Sequence, residues 1–204
     1  MLPHIISFAI GYIIGSFPAA YFVVKRKTNQ DIRKIGGGNV GAMNAFEVTD
    51  SKIVGVLVFL FDALKGTIPV VITMMLFGKD FAVLSTSGVA AVFGHNYPVW
   101  LKFKGGRGLS TTAGVMFVLG WLFVVVWCSL WAVCHLISRH IHMSNIVASV
   151  ISPVVIVVLP AGFVSATLPS YSETNGFLYL VIILCCLILI RHVEPIKELI
   201  SSYC

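Results

Sequence analysis

Long apolar runs at about 5–24, 53–77, 81–101, 109–137, 145–168 and 176–190 alternate with short polar stretches. Runs of roughly twenty apolar residues read as membrane-crossing helices. They lack the alternating segments of about ten residues that build a membrane β-barrel. The predicted architecture is an all-α polytopic membrane protein. The polar stretches differ in character. Residues 25–52 are basic and glycine-rich, 78–80 form a Gly-Lys-Asp turn, and 102–108 read Lys-Phe-Lys-Gly-Gly-Arg-Gly. Residues 138–144 read Ser-Arg-His-Ile-His-Met-Ser, 169–175 are neutral to acidic, and 191–204 open with Arg191-His192 and contain Lys197.

Composition supports the same class. Hydrophobic residues make up 58% of the 204 and charged residues 11%, with a mean hydropathy of +0.96. A soluble domain carries about twice that charged fraction and could not cover its surface with so few polar groups. The formal net charge of +6 would suggest nucleic acid in a soluble protein. Here the cations sit in short loops between apolar runs, so membrane topology and anionic substrates are the better explanation, and no nucleic-acid partner is expected. Five cysteines show no disulfide or metal-binding spacing, so Cys128, Cys134, Cys185 and Cys186 are expected to be buried free thiols. No metal or other cofactor is expected.

Charge placement predicts topology. Met1–His4 carries no Lys or Arg, whereas Lys25, Arg26 and Lys27 follow the first apolar run. This is the reverse of a secretory signal and predicts a first helix with its N-terminus outside. Loops 25–52, 102–108, 138–144 and 191–204 hold twelve of the fourteen Lys and Arg residues. Placing all four loops on the cytoplasmic side requires 109–138 to leave that face and return to it. The expectation is a short helical hairpin of two arms of about 15 residues, bent near Gly120 and too short to cross fully. That gives about seven transmembrane or re-entrant helices and a cytoplasmic C-terminus. The rival is one long tilted span with the C-terminus outside.

Three polar groups then collect on the cytoplasmic face. In the first, Gly36–Asn44, four glycines and two asparagines let the backbone approach a ligand and cradle a phosphate with successive N–H groups; the alternative is a flexible loop. In the second, Gly94–Thr111, Lys104 and Arg107 bracket Gly105-Gly106 just before a new helix. Free N–H groups at a helix start, two cations and the hydroxyls of Ser110 and Thr111 make a good anion site. Anchoring to the inner leaflet would need the cations but neither three glycines nor His95. The third is Asp62 with Lys65, which share one helix face at i, i+3. They form either a structural ion pair or a cation that reaches a cytoplasmic pocket. A pairing of His95 with Asp50 would depend on the fold. His4 reads as a solvated terminus, His135, His140 and His142 as interfacial, and the tryptophans as interface or packing residues.

The second segment resembles the acyl-phosphate:glycerol-3-phosphate acyltransferases, the PlsY-type bacterial membrane enzymes. Their motif G-H-x-x-P-x-x-L-x-F-K-G-G-K-G-V-A-T is matched by Gly94, His95, Pro98, Leu101, Phe103, Lys104, Gly105, Gly106, Gly108 and Thr111, with Arg107 in place of Lys and Leu109-Ser110 in place of Val-Ala. Gly15-Ser16-Phe17-Pro18 resembles the family's G-S-[IF]-P, and Asp62-Ala63-Leu64-Lys65-Gly66 its D-x-x-K-G. The first motif keeps Asn39, Gly41, Ala42 and Asn44 but has Gly37 for Ser, Met43 for Thr and Glu47 for Arg. The third keeps Arg191, His192, Ile196 and Lys197 but has Pro195 for Asn and Glu198 for Arg.

The resemblance implies one membrane acyltransferase domain over 1–204, with motif loops at about 25–52, 95–111 and 191–204. It implies a bacterial inner-membrane location with the active site on the cytoplasmic face. The implied reaction moves a fatty acyl group from acyl phosphate to the 1-hydroxyl of glycerol 3-phosphate in phospholipid biosynthesis, without a cofactor. An upstream phosphate:acyl-carrier-protein acyltransferase would supply the acyl phosphate, and membrane lipid would surround the chain. His95 and Lys104 are the expected catalytic residues, with His95 or the departing phosphate as base. Gly105, Gly106, Arg107, Gly108, Ser110 and Thr111 would bind one phosphate; Asn39, Gly41 and Asn44 would donate to the second phosphate or the glycerol; Lys65 and His192 would complete the charge cage. The altered motifs also fit a catalytically changed or inactive relative that binds lipid phosphate or a partner. Buried Asp62 and Lys65 would fit an anion transporter, although paired inverted halves are lacking.

Overall fold

The computed structural model describes residues 1–193. Its regular elements are all helical, with no strand among the described residues. Residues 194–204 lie outside them, and with these Pro195, Ile196, Lys197 and Glu198 of the third motif. The helices are α1 Leu2–Gly15, α2 Ala19–Thr28, α3 Ala42–Thr49, α4 Lys52–Phe77, α5 Phe81–Asn96, α6 Leu109–Leu119, α7 Trp121–Ser138, α8 Ile141–Val158, α9 Ala161–Thr167 and α10 Thr174–Ile190. Short 3₁₀ turns occupy Ile32–Lys34 and Val99–Leu101. Among the described residues, four stretches are long and apolar enough to cross a membrane: Leu2–Thr28, Lys52–Phe77, Trp121–Ser138 and Ile141–Val158.

Several predicted runs are interrupted, each at or beside a proline or glycine, residues that disfavour a continuing helix. The first breaks between α1 and α2 at Pro18, which lacks an N–H. The run expected to reach 101 ends at Asn96, two residues before Pro98. Pro160 separates α8 from α9. The stretch 109–138 does break at Gly120, but into arms of 11 and 18 residues, not two of about 15. At 1.5 Å per residue the longer arm is about 27 Å, close to the hydrocarbon thickness. Gly120 is excluded from helix by its extended φ of 170°. A Cβ there would strike the ring of Phe177.

The backbone divides into two compact units, Met1–Val118 and the residues from Leu119 onward. In the first unit, close helix approach depends on residues without side chains. A Cβ on Gly11 or Gly15 would collide with the backbone of Ser87 or Ala91, and one on Gly94 with Tyr12. The spacing of Gly11 and Gly15 is the small-residue pattern that lets membrane helices touch backbone to backbone, so α1 lies directly on α5. Gly66 against Thr111 and Gly114 against Ala63 do the same for α4 and α6. There the Thr67 hydroxyl donates to the Gly114 carbonyl at 2.9 Å. The interior of the glycine-loop region is apolar: Val24, Ile32, Ala45, Val58 and Leu101 pack together, buried.

In the second unit α7 and α8 pair, and α10 packs on α8. Phe177, Leu180, Leu184 and Ile188 of α10 are fully buried. Trp127 donates from Nε1 to the Ser149 hydroxyl at 3.0 Å. The expectation of four buried thiols is corrected: Cys185 is buried, Cys134 half-buried, and Cys128 and Cys186 are exposed on outward faces. An apolar run shows that a residue suits lipid; it does not show which face meets protein.

Candidate active site

The glycine loops owe their shape to a few directed hydrogen bonds. Asn44, the third residue of α3, is buried. Its Oδ1 accepts from the Gly37 N–H at 2.8 Å. Its Nδ2 donates to Asn39 O at 2.7 Å and lies 3.2 Å from Ile32 O. Gly36 and Gly38 adopt φ of 56° and 64°, the left-handed region that favours glycine. The amides of Gly37, Gly38 and Val40 donate to Asn44, Ile35 and Gly105 respectively. Part of the expected phosphate nest is thus used to build the loop itself.

The second loop folds back onto the end of α5. Gly106 N–H donates to His95 O at 3.0 Å, and Val40 N–H reaches Gly105 O at 3.4 Å. A Cβ on Gly105 would strike His95 O, and one on Gly106 would strike His95 Nε2. The glycines are therefore needed for close packing. Lys102 and Phe103 hold positive φ of 55° and 62° without being glycine, conformations that persist only where surrounding structure enforces them. Lys104 is exposed, Arg107 and Ser110 are half-buried, and Gly105, Gly106, Gly108 and Thr111 are buried. Leu109, Ser110 and Thr111 begin α6, where first-turn amides have no acceptor within the helix. The hydroxyls of Thr111 and Thr112 are buried with no hydrogen-bond partner among the described residues.

Arg33 ties the two loops from the other side. Its guanidinium binds the Asp31 carboxylate from Nε at 2.9 Å and donates from Nη1 to Leu101 O at 3.1 Å. It also stacks 5.4 Å from the Tyr21 ring centre. These hydrogen bonds hold the Asp31 carboxyl down at about 2, against the usual 3.8. Nothing in the sequence marked Arg33 as more than one cation among several.

Beneath the loops lies a buried charged cluster. Lys65 Nζ sits 2.7 Å from Asp62 Oδ1 and donates to Phe17 O at 3.0 Å. His95 Nδ1 lies 3.6 Å from the same Asp62 oxygen. Of the two readings left open for Lys65, this geometry is that of an ion pair within the helix bundle. The partner of His95 is Asp62 on α4, whereas Asp50 is exposed at the end of α3. The cluster joins the G-S-F-P, D-x-x-K-G and G-H segments, and only the fold brings them together. Trp100, read as an interface or packing residue, donates from Nε1 to the Ser16 hydroxyl at 2.8 Å beside the same break.

Asn39 and Gly41 remain half-buried at the mouth of the first loop. Glu47 and Met43, two of the altered first-motif positions, are exposed. His192, in the second unit, is fully buried just past α10, with Nδ1 on Ile188 O at 2.8 Å and Nε2 3.4 Å from Asn145 Nδ2. Asn145 and its donor Trp131 were not anticipated; a lone Asn in an apolar run was the available signal.

These features define a helical integral membrane protein with cation-bearing glycine loops. A family model described as glycerol-3-phosphate acyltransferase matches residues 5–202. Glycerol-3-phosphate acyltransferase 2 of Thermotoga maritima is 36% identical over 193 residues, 95% of this chain and 91% of that protein. The glycerol-3-phosphate acyltransferase of Bradyrhizobium diazoefficiens is 40% identical over 148 residues, 72% of this chain and 73% of that protein. A crystal structure of PlsY (YgiH), an integral membrane glycerol 3-phosphate acyltransferase in its glycerol 3-phosphate form, superposes with a TM-score of 0.80 at 33% identity, covering 98% of this chain and 92% of that one. The lysophosphatidic acid form gives 0.78 at 31% identity. The chain belongs to the glycerol-3-phosphate acyltransferase family and is a multi-pass membrane acyltransferase.

Proposed function

We propose that this protein transfers a fatty acyl group from acyl phosphate to the 1-hydroxyl of glycerol 3-phosphate, releasing lysophosphatidic acid and phosphate in phospholipid biosynthesis. The observation that carries the reading is the junction of the two motif loops, where Val40 N–H meets Gly105 O. It sets a glycine loop with polar donors beside a loop with two cations, as a reaction between two anions requires. An acyl phosphate already carries a good leaving group, so catalysis reduces to holding the two substrates close and aligned. Lys104, Arg107, the Gly105–Gly108 backbone and the Ser110 and Thr111 end of α6 bind the phosphate of the acyl donor. Asn39 and Gly41 donate to glycerol 3-phosphate, and Asn44 acts on it indirectly by fixing the loop. The departing phosphate takes the hydroxyl proton, because His95 is buried between Asp62 and Gly106. Lys65 supports the site through its bond to Phe17 O, and the third-motif resemblance supports a part for His192 in the reaction.

The family match across 5–202 supports one acyltransferase domain over 1–204, spanning both compact units. The concentration of Lys and Arg in the motif loops supports an inner-membrane protein with its N-terminus outside, its C-terminus cytoplasmic and its site on the cytoplasmic face. An upstream phosphate:acyl-carrier-protein acyltransferase then supplies the donor. Purified protein incubated with palmitoyl phosphate and labelled glycerol 3-phosphate should form lysophosphatidic acid, with acyl-CoA and acyl-carrier protein ineffective as donors. Lys104→Ala should abolish turnover in folded protein. Product from acyl-CoA alone would overturn the donor assignment, and near-normal turnover by Lys104→Ala would overturn the site.

A further inference from the structure

One polar network in the second unit reaches His192 through Trp131 and Asn145, which the reaction scheme above does not use. Trp131 on α7 donates from Nε1 to Asn145 Oδ1 on α8 at 2.8 Å. An indole N–H can only donate, so it fixes the orientation of the Asn145 amide, with its oxygen toward Trp131 and its nitrogen facing away. That nitrogen, also only a donor, lies 3.4 Å from His192 Nε2. Nε2 is therefore the acceptor of this pair. At the opposite edge of the ring, Nδ1 lies 2.8 Å from the Ile188 carbonyl. A carbonyl only accepts, so Nδ1 carries the proton. The two constraints select one neutral tautomer, Nδ1–H with the lone pair on Nε2. His192 is 0% exposed and Asn145 5%, so bulk water does not compete for either edge.

We propose that Asn145 is a positioning residue for the acyl transfer, acting by fixing His192 as the neutral Nδ1–H tautomer, with Trp131 locking the amide that does so. This rests on the part in the proposed reaction that the third motif gives His192. It changes the part His192 takes there: an oriented neutral imidazole in place of a cation in the charge cage. The three residues lie on α7, on α8 and just past the end of α10, so the tautomer also reports whether these elements are correctly assembled.

The experiment combines ¹⁵N NMR of histidine-labelled protein in detergent with steady-state kinetics. The His192 resonance is identified by its loss in His192→Ala. The wild type should show protonated Nδ1 and unprotonated Nε2. Asn145→Asp presents a carboxylate oxygen where the amide N–H stood, so it should move a proton to Nε2. It should also lower kcat/KM by about tenfold or more. Trp131→Phe should broaden the tautomer signal and lower kcat/KM by a few-fold. In a His192→Ala background, Asn145→Leu should cause no further loss, whereas a purely structural role would give additive losses. A wild-type imidazolium or Nε2–H tautomer would overturn the proposal, as would an altered tautomer with unchanged kcat and KM. If Asn145→Asp does not fold, the wild-type tautomer and Trp131→Phe decide. If wild-type protein makes no lysophosphatidic acid, the functional assignment fails while the spectra still decide the tautomer.

Discussion

Removing one member of the Asp62–Lys65 pair should destabilise the protein far more than removing both. The ammonium and carboxylate are 2.7 Å apart, with side chains only 8% and 2% exposed. Asp62→Leu leaves a buried cation whose remaining acceptor is the Phe17 carbonyl; Lys65→Met leaves a buried carboxylate beside His95. Stranding one charge of a buried pair costs about 3–5 kcal/mol. The Phe17 carbonyl places Asp62→Leu near the lower end, at about 3 kcal/mol. For a chain of this size that is a fall in Tm of roughly 6–12 °C. The double variant loses the attraction but strands neither charge, so it should cost about 1 kcal/mol, mainly for the lost donor to Phe17 O. The assay is thermal unfolding in detergent across the four-member cycle, with size exclusion to verify monodispersity. Losses that add, or single variants each costing below about 1 kcal/mol, would refute the claim that the pair is buried and coupled.

Further outcomes test the loops. Gly106→Ala forces a Cβ into His95 Nε2 and to 2.9 Å from Val40 O, so turnover should fall about 100-fold or more. Gly162→Ala, with nothing within 4 Å of the new Cβ, should leave turnover unchanged; equal effects at the two positions would refute the close-packing argument. Asp31 titrates at about 2 instead of 3.8 because Arg33 binds its ionised form. Its contribution is therefore complete above about pH 4 and lost as pH falls toward 2. Both partners are a fifth to a quarter exposed, so the loss is roughly 1 kcal/mol after screening by water. Acid titration of stability should show this component in the wild type and lack it in Asp31→Asn. Glu47 is exposed, so Glu47→Arg, which restores the family's cation, should lower KM for glycerol 3-phosphate only a few-fold, in keeping with about 1 kcal/mol for a surface charge. A 100-fold change would place Glu47 against the substrate.

The sequence by itself determined the solvent, the class and the loops. Some twenty apolar residues per run can be accommodated only in a membrane, and the order Lys104-Gly105-Gly106-Arg107-Gly108 survives as a local pattern because its neighbours along the chain define it. Gly120 was legible as a break because glycine is a poor helix former, though not the 11 and 18 residue lengths on either side. Tertiary structure decided the partnerships. His95 could have met Asp50 or Asp62, and hydropathy does not distinguish them. The choice follows from α1 seating on α5 through Gly11 and Gly15, and from Gly66 and Gly114 bringing α4 against α6. Likewise Arg33 and Asn145 gain their roles from a carbonyl and a ring far along the chain, and Asn44 from carbonyls that the folding of its own loop brings back to it. Hydrogen bonds are directional and short-ranged, so a residue's identity states what it can donate or accept, and only packing states to whom.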